Sequence, residues 1–219
     1  MRILISLLLL AGLGVARGSD AELGAARGPD NVLTEEEKRE GYELLFNGKN
    51  LLGWDGDPEL WSVQDGLIVA STEGQNLVQN SFLITKERFS DFIFSADVKL
   101  RNNNTGIQFR SRRLPEFIIM GYQADAARDK WWGSLYGEKT GRGVIVDGWA
   151  GKGEKLVKRA DWNRYEIYCK GDHIKLTLNG VVTADVNDDM ASEGVIALQV
   201  HRGSPMQVSF RNVKIKKLK

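Results

Sequence analysis

From Tyr42 to the C-terminal end the chain is written in short segments of period two, among them LWSVQDGLIVAS, DFIFSADVKL, GIQFRSR, EFIIMGYQAD, HIKLTLNGVVTADV and GVIALQV, bounded by Gly, Asp and Asn. Alternation of this kind buries one face of a strand and solvates the other, which commits the chain to half-buried antiparallel strands. Asp65-Gly66 and Asn179-Gly180 fall between apolar flanks, where two residues able to adopt positive φ close a hairpin. Many short strands with no long amphipathic helix predict an all-β fold, a jelly-roll sandwich of two antiparallel sheets. An immunoglobulin sandwich fits less well, because Cys169 is the single cysteine and the Cys-Trp-Cys spacing is missing.

The segments before Tyr42 have a different character. Residues 1–18 carry a basic start (Arg2), an apolar run from Ile3 to Leu13 and then small residues, the pattern of a signal peptide. That run falls short of the ~20 residues of a membrane-spanning helix, so a secreted or periplasmic chain is expected. Residues 19–40 form a polar lead-in, with Thr34 and Glu37 placed as a capping box for one short helix. Residues 41–219 form the domain. Lys plus Arg (30) nearly balance Asp plus Glu (29), which gives no bulk field for nucleic acid or an anionic membrane. The lone Cys169, in an apparent strand, reads as a buried hydrophobe, and with only two histidines no zinc site on the usual Cys/His spacings is expected. The glycines between 141 and 153 match neither a phosphate-binding loop nor a dinucleotide fingerprint.

Three strands carry an unusual outward face. In TGIQFRS, Ile107 and Phe109 point to the core, while Gly106, Gln108 and Arg110 share the other face. Gly121, Gln123 and Asp125 stand likewise against Met120, Tyr122 and Ala124, and Ala197, Gln199 and His201 against Leu198 and Val200. Small residues leave room, and planar donors and acceptors bind hydroxyls, so this face is expected to hold a sugar or similar polyol. A long insertion, Ala127 to Asp161, is expected to be an irregular loop forming one wall, with Trp131, Trp132, Tyr136 and Trp149 available to stack on sugar rings. Trp54, Trp61 and Trp162 sit near strand starts and are assigned to the core.

The ordered series ELLFNGKNLLGW, WSVQDGLI, NTGIQFRS, GYQAD, WWGSLYGE, DWNRYEIYCKGDHIKLTLNG, GVIALQVH and FRNVKIKKL resembles the 3-keto-disaccharide hydrolase family over about Tyr42 to Leu218. The resemblance implies a concanavalin A-like jelly roll and action on glycosides already oxidised to a ketone at C3, cleaved by elimination and hydration. A C3 ketone acidifies the C2 proton, so a base, a partner for the enolate oxygen and a proton donor for the leaving group are required. His201 suits the base and Arg110 the enolate partner. Asp125, Glu138 or Tyr136 suits the proton donor, and Gln108, Gln123, Gln199 and Trp132 the sugar. No cofactor is required, although a divalent metal could replace Arg110. The E-x-D-x-x-E strand motif of concanavalin-like glucanases is missing, and Glu116 follows Pro115 as a loop residue. A noncatalytic carbohydrate-binding module on the same fold is the alternative.

Overall fold

A computed structural model describes residues 29–219; the signal-peptide reading and residues 19–28 of the lead-in lie outside them. Thr34 caps the first helix, α1 (Glu35–Glu40), through the expected box: its hydroxyl accepts from the Glu37 amide while the Glu37 carboxylate accepts from the Thr34 amide. Fifteen strands follow in chain order: β1 (Tyr42–Leu44), β2 (Trp54–Asp55), β3 (Trp61–Gln64), β4 (Leu67–Ser71), β5 (Ser81–Phe89), β6 (Phe92–Leu100), β7 (Asn104–Leu114), β8 (Ile118–Ala127), β9 (Leu135–Glu138), β10 (Gly143–Val146), β11 (Asn163–Lys170), β12 (His173–Leu178), β13 (Val181–Asn187), β14 (Gly194–Val200) and β15 (Gln207–Lys217). Among the described residues no helix is long and apolar enough to cross a membrane.

The strands form two antiparallel sheets. One runs β13-β12-β11-β6-β15-β4-β3 with β1 added against β15; the other runs β10-β9-β8-β7-β14-β5-β2. Both predicted hairpins are present: Asp65 and Gly66 (φ 49° and 76°) join β3 to β4, and Asn179 and Gly180 (φ 50° and 85°) join β12 to β13. The facing sides of the sheets meet in one core that includes Phe94, Phe109, Tyr122, Tyr165, Leu198 and Phe210, all almost fully buried. Each such Phe contributes about 1.5–3 kcal/mol relative to exposure. Cys169 lies fully buried in this core, as its strand position implies.

The insertion departs from the expected irregular loop. Residues 135–138 and 143–146 are strands β9 and β10, which extend the second sheet beyond β8. Trp132 is 3% exposed and stacks on Tyr165 with ring centroids 5.9 Å apart, so it belongs to the core. Trp149 packs partly against the same core. Trp54 and Trp61 are buried as assigned, whereas Trp162 sits half-buried at the surface beneath the Arg211 guanidinium, 4.1 Å from its ring centre.

Candidate active site

The outward face of the second sheet bears two different surfaces. At one end Phe82, Ile84, Ile119, Val195 and Ala197 form a separate apolar cluster, covered by Phe117 from the β7–β8 turn. The Phe82 amide donates to the Phe117 carbonyl at 3.0 Å, so the turn is tied down over the cluster. At the other end a cleft of about 470 Å³ remains open. Gln123, Asp125, Gln199 and His201 line it from β8 and the end of β14, joined by Tyr136 and Glu138 from β9. The alternation of β8 and β14 therefore places four of the expected residues on one surface, and the unforeseen strand β9 supplies two more.

The floor is a hydrogen-bonded series. Gln108 Nε2 donates to Gln123 Oε1 at 2.5 Å, and Gln123 Nε2 donates to Asp125 Oδ1 at 3.2 Å. Gly106 makes this possible, since a Cβ there would lie 2.5 Å from the Gln123 amide carbon. Gln108 is fully buried and does not line the cleft; its amide holds Gln123 from beneath, with its own oxygen accepting from the Ser111 hydroxyl at 3.1 Å. Gln199 is also fully buried, yet both its Nε2 and its Oε1 lack any hydrogen-bond partner. A buried amide left in that state costs about 1–3 kcal/mol per group. Because Gln199 lines the cleft, a ligand able both to accept and to donate would satisfy it.

Asp125 collects three donors on one oxygen: the Ala126 amide at 2.9 Å, Asn104 Nδ2 at 3.2 Å and Gln123 Nε2 at 3.2 Å all reach Oδ1. Oδ2 is left for whatever enters. Burial is the largest influence on this carboxyl and raises its pKa to about 6, against the opposing effect of the three donors. Glu138 is 8% exposed, and burial raises its pKa also, opposed by a hydrogen bond from Asn80 and by the charges of Lys139 and Arg202. Tyr136 is pushed up by burial and by the carboxylates Glu138 and Asp125, so it stays protonated and can act as a donor. His201 moves the other way: burial lowers its pKa, with a hydrogen bond to the Arg202 carbonyl opposing. Its Nδ1 lies 2.8 Å from that carbonyl. A carbonyl can only accept, so in the neutral ring Nδ1 carries the proton and Nε2 keeps a free lone pair.

Arg110 and Trp132 are not in the cleft. The register of β7 shifts between Phe109 and Arg112, and Arg110 sits there at φ 44°. This bulge inserts an extra residue and breaks the alternation: Ser111 takes the face that strict alternation gives Arg110. The Arg110 guanidinium, 1% exposed, instead reaches the β5–β6 connection between the sheets and the β11–β12 turn of the opposite sheet. There it donates to the Ser90 carbonyl at 2.6 Å, the Gly171 carbonyl at 2.6 Å and Asp91 Oδ1 at 2.8 Å. Arg110→Met is therefore expected to lower the free energy of unfolding by about 3 kcal/mol, since it leaves these acceptors without their charged donor. Turnover well below the melting transition should stay near the parent level. Denaturant unfolding beside activity checks this, and lost turnover with unchanged stability would return Arg110 to the chemistry.

The indole that lines the cleft is that of the neighbouring Trp131, at φ 69°, with Lys130 Nζ 4.8 Å from its ring centre. Cations enter from Lys139 and Arg202. Gln79, Asn80, Asn104, Lys139 and Arg202 line the cleft without having been singled out from the sequence. Asn104 lies at the first position of a strand, and the others sit in turns, where no periodicity marks a face. Glu116 lies exposed in the β7–β8 turn, accepting from Gln79 Nε2 at 3.1 Å. Among the described residues no group of three or more His, Cys, Asp or Glu side chains is positioned for a metal ion.

A jelly-roll sandwich with a polar cleft on one sheet, floored by amides and walled by an aromatic ring, belongs to the class of carbohydrate-active proteins. The comparisons agree with that class. The model of the 3-keto-alpha-glucoside-1,2-lyase-like domain matches residues 41–216, and the chain belongs to this family. A structure from Parabacteroides distasonis named a putative glycosyl hydrolase is similar at 26% identity and TM-score 0.66, covering 87% of this chain and 100% of its own. A second from the same organism and of the same name gives 25% identity and TM-score 0.61, covering 81% and 99%. The carbohydrate-binding module CBM66 from Bacillus subtilis (21% identity, TM-score 0.57, covering 74% and 94%) shares the fold. No curated protein matches the sequence.

Proposed function

We propose that the chain is an enzyme cleaving 3-keto glycosides by C2-proton abstraction, elimination and hydration in this cleft. One observation carries the reading: a histidine held neutral with Nε2 free and a carboxyl with a pKa of about 6 share a single polar cleft. Groups whose environments push their pKa values apart from the ordinary ones can divide base and acid roles near neutrality. In the proposed route His201 Nε2 removes the C2 proton, and the electron pair moves onto the C3 oxygen as the enolate. The charge there is met by the cleft's cations, Lys139 and Arg202, in place of Arg110. Collapse of the enolate forms the C1–C2 double bond and breaks the bond from C1 to the glycosidic oxygen. Protonated Asp125 gives its proton to that oxygen, so the aglycone departs neutral. Hydration reverses the roles: Asp125 accepts a proton from the water that adds at C1, and His201 returns its proton to C2. Gln123, Gln199 and the Tyr136 hydroxyl hold the sugar.

The test is a panel of 3-keto glucosides followed for aglycone release, with substrate recovered from deuterium oxide analysed for label at C2. Release accompanied by C2 exchange is the expected result. Sugar binding without any release would leave a noncatalytic carbohydrate-binding module instead.

A further inference from the structure

Asn80 occupies a place that neither the sequence pattern nor the reaction scheme accounts for. It lies in the turn between β4 and β5, far in sequence from both walls of the cleft, and its side chain touches each of them. Its Oδ1 accepts from the Arg202 amide at 3.0 Å, and its Nδ2 donates to Glu138 Oε1 at 3.2 Å. The Arg202 carbonyl is the acceptor for His201 Nδ1. A backbone amide can only donate, so the Asn80 oxygen must face Arg202 and its nitrogen must face Glu138. The turn that carries it is fastened to the same wall: the Gly203 amide donates to the Leu77 carbonyl at 2.8 Å, and Thr72 and Met206 exchange backbone and hydroxyl hydrogen bonds.

We infer that Asn80 is a positioning residue that holds His201, through the Arg202 backbone, and Glu138 in register across the cleft. This rests on the reading of the cleft as a proton-transfer site. The argument is one of chemical type as well as contact. Asparagine supplies one acceptor and one donor from the same rigid amide, and the two walls require that pair. Aspartate, with the same shape, keeps the acceptor but sets a carboxylate against Glu138. Alanine keeps neither. Glu138 already faces the charges of Asp125, Lys139 and Arg202, with the Tyr136 phenol beside it, while Arg202 is the charged neighbour of His201. The Asn80 donor opposes burial at Glu138, so replacing it by a like charge moves Glu138 further up.

Two variants and two kinds of readout test this. Asn80→Asp should move the Glu138 carboxyl titration, followed by carbon NMR, to higher pH, while the His201 ring keeps its Nδ1–H tautomer in nitrogen NMR. Asn80→Ala should release the Arg202 segment, so that the His201 tautomer becomes mixed. On 3-keto glucosides the Ala variant should lose ~10- to 100-fold in kcat, the scale of a misplaced catalytic group, with KM little changed. Parent-like titration of Glu138 in the Asp variant together with a parent-like His201 tautomer in the Ala variant would overturn the assignment. If the parent protein turns over no keto glycoside, the proposed reaction falls, and the NMR readouts still decide the role of Asn80.

Discussion

His201→Gln is expected to leave the fold and much of the sugar affinity in place while lowering turnover of 3-keto glucosides by ~10²- to 10⁴-fold, the range for loss of a general base. Glutamine can still hydrogen-bond from the end of β14, but it has no titratable nitrogen to take the C2 proton. In the parent, Nδ1 is committed to the Arg202 carbonyl at 2.8 Å, and burial holds the ring's pKa below its ordinary 6.5. The base is therefore in its working form at neutral pH, and the acidic limb of the activity profile, lying below that value, should belong to His201. Loss of C2 deuterium exchange in the variant, in step with loss of aglycone release, assigns the proton abstraction to His201. Parent-level turnover in the variant would remove it from that role.

The residues that alternation places on the cleft and those that lie off it have separate physical causes. Tyr122 against Gln123, and Leu198 against Gln199, alternate because β8 and β14 are regular there, and period two then decides which side chain meets the core. The hairpins at Asp65-Gly66 and Asn179-Gly180 and the cap at Thr34 depend only on local backbone geometry, which a few residues specify. Arg110 failed because one residue with φ 44° shifts the phase of β7, and nothing in GIQFRSR marks the bulge. A residue elsewhere in the chain accommodates the bulge: Gly194 lets β14 approach so closely that a Cβ there would lie 2.4 Å from the Arg110 carbonyl carbon. Trp131 and Trp132 are adjacent and alike in type, and only the contact of Trp132 with Tyr165 separates the core residue from the cleft residue. Strands β9 and β10 were hidden because four-residue segments rich in glycine show too little alternation to read. Asn80 and Arg202 meet across 122 positions, a contact that only the closed sandwich creates.

The carboxyl of Asp125 gives an expectation in which activity and stability move in opposite directions. Asp125→Asn preserves the shape and keeps an oxygen for the donors at Ala126, Asn104 and Gln123, but it has no proton to give. Turnover should fall by ~10²-fold or more for 3-keto glucosides with poor leaving groups. The loss should be far smaller for nitrophenyl aglycones, which depart without protonation. In the parent the acid is in its working form below about pH 6, so the fall of turnover on the alkaline side should belong to Asp125 and vanish in the variant. Stability follows from the same shift. The folded carboxyl binds its proton up to about pH 6, whereas the unfolded one releases it near 3.8. The native state thus holds more protons between those values, and stability declines as pH rises through that window. Above pH 6 the ionised, buried carboxylate costs roughly 3 kcal/mol, and the asparagine variant should recover a good part of it. Denaturant unfolding at pH 4 and pH 7.5 measures this: the variant should gain on the parent at pH 7.5 and not at pH 4. An equal effect at both values would show that Asp125 is not the strained acid of the cleft.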